Sequence, residues 1–474
     1  VADSLLVPAD LWDGRVGQAL SRIAEERGHV AEPDDRTRRL GELIPGFPVR
    51  IRFRLSPKAV TALVPPDAWE ILQRLRGAPE AGRAEDVARV GLDHLMSLAP
   101  MTVNPYHSPL PYHSPLPFAG AAASEYARAG SGGRGPVGVL FPQPPRAPQA
   151  RGRRPVVAVL DTGCGEHPWL PSSVVARDVL LDGLPVASQG LADPESPGDR
   201  VGPLDGDLDD VSGHGTFIAG IVRQVCPDAD LLSVRVVGPD GFVPEDEPLR
   251  VLGELAVLAR RHAEGRSDGQ ALDVVSLSLG YYPETDDLVP AGYRAVLAEL
   301  AQLGVAVVVS AGNDATTRPM LPAALAVLRP QPGAVPLSSV GALNPDGTVA
   351  VFSNSGPWVT SWAPGAALVS TFPVVFDGGR QQSSASTDPV ARRPRGTIDP
   401  DGFGTAPGLR SAVSGFGTWS GTSFAAPVFA AAVAQARWES AQAGSAPLSP
   451  GATDRSVACR ATEQAVAVAR KRFP

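Results

Sequence analysis

Short apolar runs, each bounded by small or acidic residues, recur through the second half of the chain. Residues 156–160, 231–237, 274–279 and 305–310 are such runs, brief and valine-rich, which predicts strands buried on both faces. Between them, 212–225, 249–262 and 293–303 predict helices. Strands alternating with helices imply a mostly parallel sheet covered on both sides, an α/β fold. Reactive side chains are then expected just past the carboxyl ends of the strands. The first hundred residues differ. Leu11, Val16, Leu20 and Ile23 share one stripe and predict an amphipathic helix over 11–26. Val49, Ile51, Phe53 and Leu55 alternate with arginines, the pattern of a strand with one wet face. Residues 67–75 and 85–98 predict two further helices. Residues 1–99 therefore read as a small N-terminal α+β unit.

Residues 100–154 read as a linker rich in proline and glycine, extended where proline dominates. They include a tandem PYHSPL repeat at 105–110 and 111–116. Its histidines, His107 and His113, read as linker residues rather than metal ligands. Residues 155–440 form the expected main domain, with an Arg-, Pro- and Ser-rich insertion over 372–414, and 441–474 a tail with a helix. The composition suits one large core plus appendages: 474 residues, 43% hydrophobic, 19% charged, mean hydropathy -0.01. Forty-two basic against 50 acidic residues leave a net charge of -8, which disfavours a nucleic-acid partner. The longest apolar runs fall far below the roughly 20 residues that span a bilayer, so no membrane partner is expected. Residues 1–12 carry Asp3 and Asp10 and no cation, unlike a secretory leader. A cytoplasmic location is expected, with secretion the alternative if a leader has been trimmed. Three cysteines argue against a full disulfide framework. Cys164 and Cys226 are either one bridge or two buried thiols.

The candidate chemistry lies at the strand ends. Asp161 opens Asp161-Thr162-Gly163 after one apolar run, and Asn313 closes Ser310-Ala311-Gly312-Asn313 after another. His214 sits in Gly213-His214-Gly215-Thr216 at a predicted helix start. Ser423 sits in the run GTSFAAP, before an Ala-rich helix over 428–437. The order Asp, His, Ser is one of the known orders of a hydrolytic triad. A serine hydroxyl needs a base, and imidazole is poised near neutral pH. The imidazole needs a carboxylate on its other nitrogen, and Asp161 is the candidate. The developing oxyanion needs donors placed beforehand, which the Asn313 amide and the Ser423 N–H can supply.

These blocks, DTG, GHGT, SLSLG, SAGN and GTSFAAP, resemble those of the subtilisin-like serine peptidases, in the same order and over most of 155–437. The resemblance implies a subtilisin-like three-layer fold. It makes Asp161, His214 and Ser423 the triad and gives Asn313 the oxyanion. It further implies that Ser278, Leu279 and Gly280 pair with substrate backbone, while Ser310, Ala311 and Gly312 form the opposite wall of the specificity pocket. Phe217 stands where the family often has a second histidine, and Phe424 where many members have methionine. Both read as buried packing.

The implied reaction is peptide-bond hydrolysis through an acyl-enzyme, on a peptide or protein substrate, with no cofactor. The enzyme alternative is a peptide ligase or macrocyclase on the same scaffold, favoured if 372–414 shields the acyl-enzyme. The other alternative is a silent peptide-binding module. Asp205, Asp207, Asp209 and Asp210 read as a solvated acidic loop, with a calcium site the competing reading. Residues 1–99 are a prodomain on a cleavable linker, a recruitment module or a permanent part of the fold. They are expected to contact the catalytic domain or a recruiting partner.

Overall fold

A computed structural model describes residues 2–34, 37–58, 65–98, 133–137, 142–148, 152–188, 190–196, 200–201, 208–283, 291–328, 333–376, 386–387, 394–395, 415–444, 448 and 455–473. The chain divides into two units. The smaller comprises Val1–Met96, Pro244–Val257 and Val289–Val296. The larger comprises Ser97–Val243, Leu258–Leu288 and Leu297–Pro474.

In the smaller unit, strands His29–Asp34, Arg50–Pro57, Ser4–Pro8 and Gly91–Leu92 form one antiparallel sheet in that order. Phe53 and Leu55 turn inward against Leu20 and Ile23 of helix Arg15–Glu26 and against Ile71 and Leu72 of helix Ala68–Arg76. The Asp67 carboxylate caps the second helix by accepting from Glu70 N at 3.0 Å. Two expectations need correction here. The helix expected over 11–26 is two, Ala9–Trp12 and Arg15–Glu26, broken at Gly14, whose extended backbone opens the second. The helix expected over 85–98 stops at Ala88. Gly91–Leu92 instead pairs with Leu6 and Leu5, and Leu95–Leu98 is a strand. Hydrogen bonds to neighbouring strands outcompete the helical spacing of the same residues.

The larger unit is built on a seven-stranded parallel sheet. Its order is Ser361–Pro364, Ser338–Leu343, Ala306–Ser310, Val274–Leu277, Val156–Asp161, Asp230–Arg235 and Val175–Ala176. Every residue of the interior strand Val156–Asp161 is buried, as a sheet covered on both faces requires. Helices His214–Val225 and Thr422–Gln442 supply much of the cover, and the second is buried almost all round from Thr422 to Ala434. Parts of the Pro/Gly-rich stretch are fastened to this unit. Gly135–Pro136 pairs with Thr418 and Gly417, and Arg146 reaches Asp230 at 2.6 Å. Cys164, Cys226 and Cys459 are all buried and unpaired, so the Cys164–Cys226 bridge does not form. No helix among the described residues is long and apolar enough to cross a membrane. His107, His113, Asp205, Asp207 and most of the 372–414 insertion lie outside the described residues.

Candidate active site

Four strand and helix ends meet at one edge of the parallel sheet. Asp161 is the last residue of strand Val156–Asp161, and His214 the first of its helix. The two ends are forced together. A Cβ on Gly215 would fall 2.1 Å from Gly163 O and 3.0 Å from Thr162 Oγ1, so only glycine lets the helix seat on the Asp161 turn. Gly213 precedes the helix at φ +79°, a left-handed conformation that glycine adopts without strain.

In the resulting contact, His214 Nδ1 stands 2.7 Å from Asp161 Oδ1, and both side chains are shut off from solvent. The same carboxylate oxygen accepts from Thr162 N at 2.8 Å. A carboxylate acceptor at Nδ1 places the proton there and leaves Nε2 as the basic nitrogen. Nε2 is buried and makes no hydrogen bond among the described residues. The imidazole packs on Trp419, 5.5 Å between centroids, and on Phe424, 5.0 Å away and next in sequence to Ser423. Phe217 and Phe424, the two departures from the family pattern, pack against each other at 4.6 Å. Both are fully buried. Arg134 lies over the Trp419 ring and donates to Asp209 O at 2.6 Å and Leu208 O at 2.9 Å, fastening the segment ahead of His214.

Ser423 is buried in the first turn of helix Thr422–Gln442, where the backbone amides and the helix dipole favour developing negative charge. Its carbonyl accepts from Ser278 Oγ at 2.9 Å, which ties it to the neighbouring strand end. The turn before it is held by Gly421 N donating to Gly365 O at 2.8 Å. A Cβ on Gly365 would meet Ala342 and Ala425 at 2.6 and 3.0 Å. Asn313 is oriented by its carbonyl end: Oδ1 accepts from Thr422 N and Thr422 Oγ1, both at 2.9 Å. Thr422 Oγ1 in turn accepts from Gly312 N at 3.0 Å. The Asn313 amide nitrogen therefore faces away from the Thr422 turn.

The two segments expected to wall the substrate lie at buried strand ends. Leu279–Gly280 is a short buried strand, and it already has a partner: Leu279 pairs antiparallel with Leu98, and Gly280 with Ser97. Leu98 N also donates to Gly241 O at 3.1 Å. Across from it, Ser310 and Ala311 are fully buried and Gly312 takes φ +100°. Asn354 buttresses this wall, its Nδ2 donating to Ala311 O at 2.8 Å.

Sequence reasoning did not find two residues here. Met320 lies between the walls: a Cβ on Gly280 would sit 2.3 Å from Met320 Cε, and one on Gly312 2.7 Å from Met320 Sδ. Glu195 is buried behind Asp161. Burial, above all, pushes its carboxyl up to about 7, with Asp161 and Asp193 adding repulsion, against hydrogen bonds from Thr162 and Thr216 that pull it down. Neither residue belongs to a motif. Their only sequence signal is proximity, through chain reversals, to residues that do. Burial likewise pushes the Cys164 thiol up to about 12, in keeping with a buried packing residue. Among the described residues, no group of three or more His, Cys, Asp or Glu side chains could hold a metal ion.

The family model described as the subtilase family matches residues 152–450. An intracellular serine protease of Paenibacillus polymyxa is 29% identical over 263 residues, 53% of this chain and 68% of that protein. The major intracellular serine protease of Bacillus subtilis (strain 168) is 28% identical over 238 residues, covering 47% and 61%. Mycosin-4 of Mycobacterium tuberculosis is 27% identical over 245 residues, covering 47% and 48%. The match to the last two thus spans less than two thirds of their length. A solved lanthipeptide protease is 20% identical with a TM-score of 0.41, covering 65% of this chain and 79% of that one.

Proposed function

This chain belongs to the subtilase family, and on that premise we propose that it is a serine endopeptidase acting through an acyl-enzyme. Ser423 Oγ attacks the scissile carbonyl while His214 Nε2 takes its proton. Asp161 holds the imidazole tautomer and stabilises the imidazolium. The Ser423 N–H and the Asn313 amide receive the oxyanion. His214 then returns the proton to the leaving amine, and water repeats the sequence to release the acyl group. The observation that carries this reading is the solvent-free His214–Asp161 contact of 2.7 Å, set against the turn that bears Ser423.

A second reading rests on the Leu279–Gly280 pairing. A substrate is expected to add to this strand by main-chain hydrogen bonds. Ser97 and Leu98 already do so. This favours the prodomain reading of residues 1–99: the segment ahead of the linker occupies the substrate edge. The location is proposed to be cytoplasmic, in line with the two relatives named as intracellular.

One experiment tests both readings. Wild type and Ser423→Ala are made side by side, treated with a serine-directed phosphonate and sequenced from the N-terminus. Labelling and a new end within residues 99–155 are expected in wild type alone. Labelling of Ser423→Ala removes the catalytic assignment. An intact N-terminus in an active wild type removes the cleavable-prodomain reading.

A further inference from the structure

Behind the Asp161–His214 couple lies a second carboxylate that the mechanism above does not use. Glu195 is 1% exposed. Its Oε1 accepts from Thr162 Oγ1 at 2.5 Å and from Gly215 N at 3.2 Å, and its Oε2 from Thr216 Oγ1 at 2.5 Å. One side chain thus clamps the strand end that carries Asp161 to the helix start that carries His214. The Thr162 hydroxyl stands between the two carboxylates. It is 2.5 Å from Glu195 Oε1 and 3.1 Å from Asp161 Oδ1, while accepting from Gly215 N at 2.8 Å. A hydroxyl has one proton to give, so only one carboxylate receives it at a time.

We propose that Glu195 is a positioning residue that sets, through the Thr162 hydroxyl, how much negative charge Asp161 presents to His214. The inference rests on the peptidase reading only for its effect on rate. With Glu195 ionised, Thr162 gives its proton to Glu195. Asp161 Oδ1 then keeps two donors, Thr162 N and His214 Nδ1, and Oδ2 is buried with none among the described residues. With Glu195 protonated, its own O–H donates to Thr162 Oγ1. The hydroxyl proton turns to Asp161 and withdraws charge from the carboxylate facing His214. The imidazole is therefore the stronger base while Glu195 is ionised, and the weaker once Glu195 takes a proton.

The carboxyl is pushed up to about 7, chiefly by burial, so this exchange falls where the peptidase would work. Among the described residues, the groups facing Glu195 are few. Asp161 and Asp193 repel it, and Cys164 faces it as a neutral thiol. Arg235 approaches from the next strand, donating to Thr162 O at 3.2 Å and pairing with Asp193 at 2.8 Å. Arg177 is spent on the carbonyls of Cys164 and Gly165, at 2.8 and 2.9 Å. His214 is the titratable group on the helix side.

The test uses the full chain with the inert Ser423→Ala substitution and nitrogen-15-labelled histidine, titrated by NMR. The His214 resonances should show two inflections, one their own and one near neutral pH from Glu195. Adding Glu195→Gln should remove the second inflection and lower the His214 midpoint by about 0.5 to 1.5 pH units. Thr162→Ser, which keeps the hydroxyl, should produce neither change and behave as the parent. In the active enzyme, Glu195→Gln should move the acid limb of kcat/KM the same way. A uniform fall in rate with an unmoved limb is what mere packing would give, and it overturns the proposal. Superimposable His214 titrations overturn it too. If Glu195→Gln does not fold, a single inflection in the Ser423→Ala protein alone is sufficient refutation. The titration needs no catalysis, so failure of wild type to label with the phosphonate sinks the peptidase reading without touching this one.

Discussion

Thr422 anchors the Asn313 carbonyl with both its N–H and its hydroxyl, so the amide donor is set before substrate arrives. In the proposed mechanism such a donor would act on the charge that develops during reaction rather than on the resting carbonyl. Asn313→Ala should therefore lower kcat by about two to three orders of magnitude with little change in KM, checked by steady-state kinetics on a peptide ester. An unaltered kcat would remove Asn313 from the mechanism. Met320 makes a different kind of contribution. Its thioether lies against Gly280 and Gly312, which belong to the two opposite walls of the expected specificity pocket. A small residue on the acyl side of the scissile bond should be preferred. Met320→Ala should raise kcat/KM for leucine or phenylalanine there relative to alanine by about tenfold or more, read from a peptide library. Asp161, His214, Asn313 and Ser423 were legible because each lies within two residues of a glycine at the end of an apolar run or the start of a helix. Glu195 was not. In Asp193-Pro194-Glu195-Ser196-Pro197 it looks like a solvated acidic turn, and only the chain's return beneath Thr162 buries it.

Four strands of the parallel sheet, Val156–Asp161, Asp230–Arg235, Val274–Leu277 and Ala306–Ser310, were legible to within a residue or two as apolar runs. Val175–Ala176, Ser338–Leu343 and Ser361–Pro364 were not, being short or broken by serine, glycine and proline. Outside that sheet, 85–98 departed furthest from expectation. Val87 and Val90 fit a helix, and the first of them is in one. What ends it is the demand of unpaired strand edges at Leu5–Leu6 and Leu279–Gly280, which lie far away in sequence. Between elements, the tightest fit is that of the His214 helix on the Asp161 turn. Gly215→Ala would drive a methyl group into Gly163 O. The helix start must then lift, at a cost of about 1–3 kcal/mol, and His214 moves with it. Thermal unfolding should report a lowered Tm. Phosphonate labelling should fall by more than tenfold even where the protein is fully folded, because a displacement of about 1 Å costs about a hundredfold in rate. Labelling at the wild-type rate would show that the turn does not position the base.

At the scale of the molecule, the smaller unit carries its own response to pH. Ser4, Arg52, Asp93 and Asp246 form a buried cluster: Arg52 reaches Asp93 at 2.5 Å and Asp246 at 3.1 Å, and Ser4 donates to Asp93 at 3.0 Å. Burial, with repulsion from Asp93, pushes Asp246 up to about 7. A carboxyl raised this way holds a proton in the folded unit that the unfolded chain has already released. Stability of the unit should therefore fall as pH rises from about 4 to about 7. Amide exchange along Ser4–Pro8, corrected for intrinsic rates, should be slower at about pH 5 than at about pH 8. Asp246→Asn should flatten that difference, and an unchanged slope would detach the cluster from the stability of the sheet. The antiparallel contact of Ser97 and Leu98 with the Leu279–Gly280 edge has a consequence for anyone who assays the intact chain. A ligand tethered to its receptor is present at an effective concentration of the order of millimolar. A free peptide offered at micromolar levels is outnumbered by about a thousandfold before its own affinity counts. If that edge receives substrate as proposed, inhibitor screens on the full chain should rank compounds by their power to evict an internal rival, and weak binders should register as blanks.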